Sequence, residues 1–273
     1  MSASDNSPPQ PTQLKATLHR DGVKAPALLA LQTAVGAVVI GLRALESAEL
    51  SGPIEIKGPA MAFRLEDGVA DAQHRRKAYE TWLLARGFHE LAKGLRASME
   101  EAYVFVALSK LQGTKVTGAE FKAQLSDAKA KANKQNFPDL VDALNTTLSE
   151  PLHWEKEFLS LNKARNCLEH RGGVIVQDKD TDPNASTLTL SFPRVQIYVE
   201  REGQEIEITP PFAVEAGEEI SFRAIARERS FAVGERITVN AEEFGEIAFA
   251  CWIMADELAS KLPGPSKPSD SKP

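Results

Sequence analysis

The sequence predicts an α+β protein, a bundle of helices with an antiparallel β segment inserted before the last helix. Three observations predict it. Up to about residue 172, apolar residues recur at spacings of three and four, the period of an amphipathic helix. Between 173 and 240 the period drops to two, as in half-buried strands. From 241 to 262 the longer period returns, so a final helix is expected to rejoin the bundle. On this reading 1–24 is a disordered N-terminal tail and 25–172 the helical bundle. Residues 173–240 are the β-rich insertion, 241–262 the closing helix and 263–273 a second disordered tail.

The elements follow in order. Residues 1–24 carry Pro, Ser and Gln with little apolar content, too little to offset the entropy of ordering. Ala27–Leu50 reads as helix at both ends, while its middle, Val35-Gly-Ala-Val-Val-Ile40, is β-branched and fits helix or strand. Its apolar run, Ala27–Leu42, is about 16 residues long, short of the roughly 20 that span a bilayer. A buried or dimer-interface helix is expected there, with no membrane contact. Pro53–Gly58 and Ala62–Gly68 suggest a short hairpin or an extended connection.

From Val69 to Leu111 the helical signal is strongest, through Leu84, Phe88, Leu91, Leu95, Met99, Ala102 and Val106. Gly87 and Gly94 interrupt it, which implies two helices or one helix with close packing. Lys115–Asn136 reads as a lysine-rich solvated helix. Pro138 or Asp139 opens the next, through Leu148. A helix from Pro151 to Arg171 ends the bundle at Gly172-Gly173, because glycine readily adopts the left-handed conformation that stops helices.

Beyond it, Val174–Gln177, Thr187–Ser191, Arg194–Glu200, Glu205–Thr209, Glu219–Ile225 and Arg236–Val239 read as strands. A turn at Arg201-Glu-Gly-Gln204 joins two of them. The closing helix carries Phe244, Ile247, Ala248, Cys251, Met254 and Leu258 on one side.

A 42% hydrophobic and 26% charged composition is that of an ordinary soluble globular protein. The net charge of −6 argues against broad nonspecific nucleic-acid binding, although a locally basic RNA site remains compatible with it. Two cysteines, Cys167 and Cys251, suit a reducing compartment. The polar, proline-rich start lacks the pattern of a signal peptide, so a cytoplasmic location is expected.

Chemistry concentrates in the last turns of the Pro151–Arg171 helix. Trp154, Phe158, Leu161 and Leu168 lie on one side, and at 100° per residue Arg165 projects from the middle of it. A charge facing a core is costly unless paired or functional. Asn162, Asn166 and His170 stack one turn apart on a neighbouring strip, with His170 in the final turn where the dipole suits a cation.

An arginine, a polar residue directly after it, and a histidine five positions on near a helix end resemble the Arg-x4-His motif of HEPN domains, here Arg165-Asn-Cys-Leu-Glu-His170. That family comprises small, usually dimeric α-helical bundles. Many are metal-independent endoribonucleases of toxin–antitoxin and antiphage systems, and others bind nucleotides or mediate assembly.

The resemblance implies an HEPN-like bundle and a metal-independent ribonuclease with no cofactor. It assigns His170 to proton transfer, Arg165 to phosphate oxygens and Asn166 to a supporting hydrogen bond. Arg171 and Lys163 are the expected flanking RNA contacts. The implied partners are RNA, a second copy of the chain, and an antitoxin or regulatory protein. Residues five apart lie about 140° apart in azimuth, so convergence on one phosphate needs an unwound last turn or a partner protomer.

Two other readings stand beside this one. A noncatalytic HEPN-like interaction module would keep the bundle without chemistry. In a purely structural reading, Arg165 pairs with Glu169 one turn on and His170 caps a helix end.

Other constellations carry less. Asp178-Lys-Asp-Thr-Asp182 alternates like a calcium loop but has Pro183 where the required glycine belongs, which favours a polar hairpin loop. His89-Glu90 is followed by Lys93 instead of the second histidine of a zinc protease helix. His74-Arg-Arg-Lys77 is a basic run suited to solvent or RNA.

Overall fold

The computed structural model describes residues 17–59, 61–65, 71–209 and 217–264. Most of both expected tails, at 1–16 and 265–273, lies outside these residues, as do 66–68 of the expected hairpin. Among the described residues the chain is α+β, with six α-helices and two antiparallel sheets.

Part of the segment expected as the N-terminal tail is structured. Arg20–Lys24 forms a 3-10 turn that runs directly into α1, Ala25–Ser47. Val23 is buried, and Lys24 Nζ donates to Asp256 Oδ1 at 2.8 Å, contacts that local composition does not reveal. The β-branched middle of α1 is helical throughout, because Ala34 and Val38 pack into the core and packing overrides propensity. The helical stretch, Arg20–Ser47, outruns the expected apolar run. By length and composition it is long enough to cross a membrane. In this fold one side of it packs on the bundle.

A hairpin follows, β1 (Ile54–Lys57) against β2 (Ala62–Leu65), antiparallel with Ile54 opposite Leu65. Asp71 then caps α2, Ala72–Ser109, by accepting the His74 N–H at 2.7 Å. This single 38-residue helix is the axis of the bundle. Its glycines are contact points rather than breaks. A Cβ on Gly94 would lie 2.2 Å from the Ala30 Cβ, and one on Gly87 2.6 Å from Val38 and 2.7 Å from Phe244. Half of the basic run at its start ties down the preceding loop, since Arg75 Nη1 donates to Leu50 O at 2.6 Å and Arg76 Nη2 to Ala48 O at 3.2 Å.

α3, Gly118–Lys134, opens with a Thr117–Glu120 capping box and buries only Ala128 and Ala132, leaving its lysines on the outer face. α4, Phe137–Asn145, starts slightly before the expected position because Asn136 caps it and Pro138 fits its first turn. α5 spans Glu155–Arg171 and starts later than expected. The preceding His153 and Trp154 N–H groups donate to the Glu257 carboxylate instead of joining a helix.

The larger sheet has the order β4-β3-β5, with β3 at Thr187–Arg201, β4 at Gln204–Glu207 and β5 at Ile220–Ala232. Glu202 and Gly203 both take positive φ between paired Arg201 and Gln204, a type I′ turn. Two expected strands merge into β3 through Pro193. Among the described residues β4 pairs with Tyr198–Arg201 and no strand pairs with that edge of β3 at Pro193, where a residue without an N–H is tolerated.

The strands expected at Val174–Gln177 and Arg236–Val239 reduce to one bridge, Val174 to Arg236. Val176 O accepts the Asp180 N–H at 3.0 Å and turns the chain before a ladder can form. α6, Ala241–Ser260, is capped by Asn240 and Glu243 and buries all six apolar residues expected of it. The core joins Phe88 and Met99 of α2, Phe158 and Leu161 of α5, Phe192 of β3 and Met254 of α6.

Candidate functional site

One strip of α5 is fastened to the β segment. Ser160 Oγ donates to Thr189 O at 2.9 Å and accepts the Ser191 N–H at 2.6 Å. Glu157 Oε1 accepts from Ser191 Oγ at 3.0 Å, and both side chains are buried. Ala164 and Cys167 are fully buried one and two turns later. This corrects the expected orientation of the helix. The buried face is centred on 157, 160, 164 and 167, and Arg165 lies at its rim with 24% of its side chain exposed. Counting only large apolar residues overlooks Ala164, Cys167 and the hydrogen-bonded Ser160 and Glu157.

At that rim the side chains gather on one atom. Arg165 Nη2 is 2.6 Å from Glu169 Oε2, and Arg165 Nη1 donates to Asn166 Oδ1 at 3.0 Å. The Arg165 Nε–H is buried and has no hydrogen-bond partner among the described residues. His170 Nε2 lies 3.9 Å from the same Glu169 oxygen, with 61% of its side chain exposed. From α2, His89 Nδ1 also lies 3.9 Å from it, with 14% of its side chain exposed. Burial pushes the His89 imidazole below its ordinary pKa, opposed by the Glu169 carboxylate and aided by the Arg165 charge.

Arg165, Asn166 and His170 thus share one patch. α5 stays helical through Arg171, and Gly172 at φ 58° then stops it. The unwound turn invoked for convergence is absent; side-chain length closes the azimuthal gap instead. Two residues missed as site members join the patch, His89 and Glu169. Glu169 figured only as an ion-pair partner, and His89, distant in sequence, only as part of an incomplete zinc pattern.

Arg171 and Lys163 do not join it. The Arg171 guanidinium makes a two-pronged pair with Asp180, which is wholly buried and also accepts the Val176 N–H at 2.9 Å. Lys163 Nζ donates to Asp182 Oδ1 at 2.9 Å and Thr181 O at 3.3 Å. Burial pushes the Asp182 carboxyl up, but hydrogen bonds from Lys163 and Thr189 outweigh it and hold the group below the usual range. These cations fasten the loop after α5 to the helix rather than face outward with Arg165.

The acids of the calcium-like loop diverge, Asp180 to Arg171 and Asp182 to Lys163. Among the described residues no group of three or more His, Cys, Asp or Glu is placed to hold a metal ion. Cys167 is buried and burial raises its thiol to about 11, which makes it a packing residue rather than a nucleophile. Chemically, the patch can hold an anionic oxygen between a guanidinium and two imidazoles, and it can move protons. The chain matches no family model, no curated protein and no solved structure.

Proposed function

We propose that the protein is an HEPN-type, metal-independent endoribonuclease, cytoplasmic and homodimeric, acting as a toxin or antiphage effector under a regulatory or antitoxin partner. One observation carries this reading: Arg165, His170 and His89 each bring a ring or guanidinium nitrogen within 4 Å of one carboxylate oxygen, Glu169 Oε2. A carboxylate oxygen held this way stands where a phosphate oxygen would sit. The phosphodiester displaces Glu169, and Arg165 takes two phosphate oxygens through its planar fork. Asn166 orients the guanidinium, and His170 transfers a proton at the scissile linkage. Arg171 and Lys163, paired within the chain, are left out of the RNA contact.

A second reading, an interaction module without chemistry, draws on Leu29 and Ile40 of α1 and on the stacked Phe249 and Trp252 of α6. All four are exposed, and exposed apolar groups of this kind mark protein contacts. The same residues could serve the homodimer of the first reading.

The test is incubation with mixed RNAs in excess EDTA, followed by analysis of product ends. Ends carrying 2′,3′-cyclic phosphate and 5′-hydroxyl are expected. Absence of cleavage across the RNA set overturns the enzyme in favour of the module.

A further inference from the structure

We propose that His89 of α2 is a second catalytic imidazole, taking the proton of the attacking ribose 2′-hydroxyl while His170 protonates the departing 5′-oxygen. This rests on the endoribonuclease reading above. Cleavage by 2′-hydroxyl attack needs two proton transfers at opposite ends of an in-line phosphate, and the Arg165–His170 stretch contains one imidazole. The fold brings in another. His89 Nδ1 and His170 Nε2 each lie 3.9 Å from Glu169 Oε2, so they are no farther apart than the sum of those distances. A phosphate in the place of that carboxylate has both imidazoles beside it and the Arg165 guanidinium 2.6 Å from the displaced oxygen's position.

The two rings differ in setting, and the difference assigns the roles. The His89 side chain is 14% exposed and faces Arg86 and Glu90 of its own helix and Arg165 and Glu169 of α5, with His170 beside the same carboxylate. Its burial favours the neutral ring, the form a base requires. His170 is open to solvent in the last turn of α5, where it can meet a departing oxygen and regain its proton from water.

In the reaction the 2′-O–H proton passes to His89, the O2′–P bond forms and the P–O5′ bond breaks. His170 gives its proton to O5′. The products are a 2′,3′-cyclic phosphate and a 5′-hydroxyl, and exchange with water resets both rings. This makes one protomer chemically complete.

The test uses the full chain and two substrates, an RNA oligonucleotide and a ribonucleoside 3′-(4-nitrophenyl phosphate), whose leaving group departs without a proton. His89→Gln is expected to slow both by about 100-fold or more, the range for loss of a general base. It should also remove the acid limb of the kcat/KM profile. His170→Gln is expected to slow RNA cleavage similarly but to leave the nitrophenyl ester within a few-fold of wild type. Thermal midpoints check folding, and His89→Asn serves as the second variant.

An independent readout is the wild-type His89 ring resonances, which should shift on titration with a 2′-deoxy oligonucleotide. A folded His89→Gln or His89→Asn protein that cleaves RNA at the wild-type rate, or ring resonances that stay put, overturns the role of His89. If Arg165→Ala still abolishes cleavage, the endoribonuclease survives that result. Wild type inert on both substrates overturns both.

Discussion

Arg165 and Glu169 form an i,i+4 ion pair across one turn of α5, with Nη2 2.6 Å from Oε2. The pair is partly exposed, and arginine precedes glutamate, the weaker orientation on a helix. Its contribution to stability is therefore about 0.5 kcal/mol or less. On the proposed reading its consequence for binding is larger, because the carboxylate then occupies the position that an incoming phosphate takes.

Glu169→Gln separates the two effects. The thermal midpoint should move by no more than a degree or two. Affinity for a noncleavable 2′-deoxy oligonucleotide should rise about tenfold or more, equivalent to about 1.4 kcal/mol, because a charge repelling the phosphate is gone. Unchanged or weaker binding would mean that Glu169 does not occupy the anion position.

Arg171 and Asp180 should behave oppositely, as a structural pair. Asp180 is wholly buried and also receives the Val176 N–H. Asp180→Asn leaves the Arg171 charge without its counterion and should cost about 3 kcal/mol, the low end for breaking a buried pair, because Arg171 keeps some access to water. Urea unfolding measures it. A loss under 1 kcal/mol would free Arg171 for the RNA contact expected from sequence.

Two glycines test the packing of α1 on α2. Gly94→Ala should destabilise by about 1–3 kcal/mol, since its Cβ would meet Ala30 and the backbone of Pro26 and Ala27. Gly36→Ala, in α1 with open space around it, should stabilise by about 0.5–1 kcal/mol through lower backbone entropy. Thermal midpoints moving the same way for both would refute this placement of the helices.

Legibility from sequence followed the range of the interactions. The periodicity of α6, the glycine stop after α5 and the Glu202-Gly203 turn are set by neighbours in the chain and could be read directly. The start of α5 could not, because the N–H groups of His153 and Trp154 are taken by Glu257, about 100 residues away. Nor could the buried face of α5, which depends on Ser160 and Glu157 finding Ser191 and Thr189 on β3. His89 reaches Glu169 only once α2 and α5 pack. Arg171 and Lys163 read as free cations because their partners, Asp180 and Asp182, return through a loop whose path depends on Asp178 and Asn184 at positive φ.

We infer that Arg165 serves a phosphodiester. Single-turnover cleavage of an end-labelled RNA in EDTA, by wild type, Arg165→Ala and Arg165→Lys, tests it most directly. Wild type should cleave, and Arg165→Ala should lose about 100- to 1,000-fold, the cost of removing a donor from a developing anion. Arg165→Lys should recover little, since lysine lacks the planar fork, and all three should fold alike. Cleavage by a folded Arg165→Ala protein at the wild-type rate would contradict it.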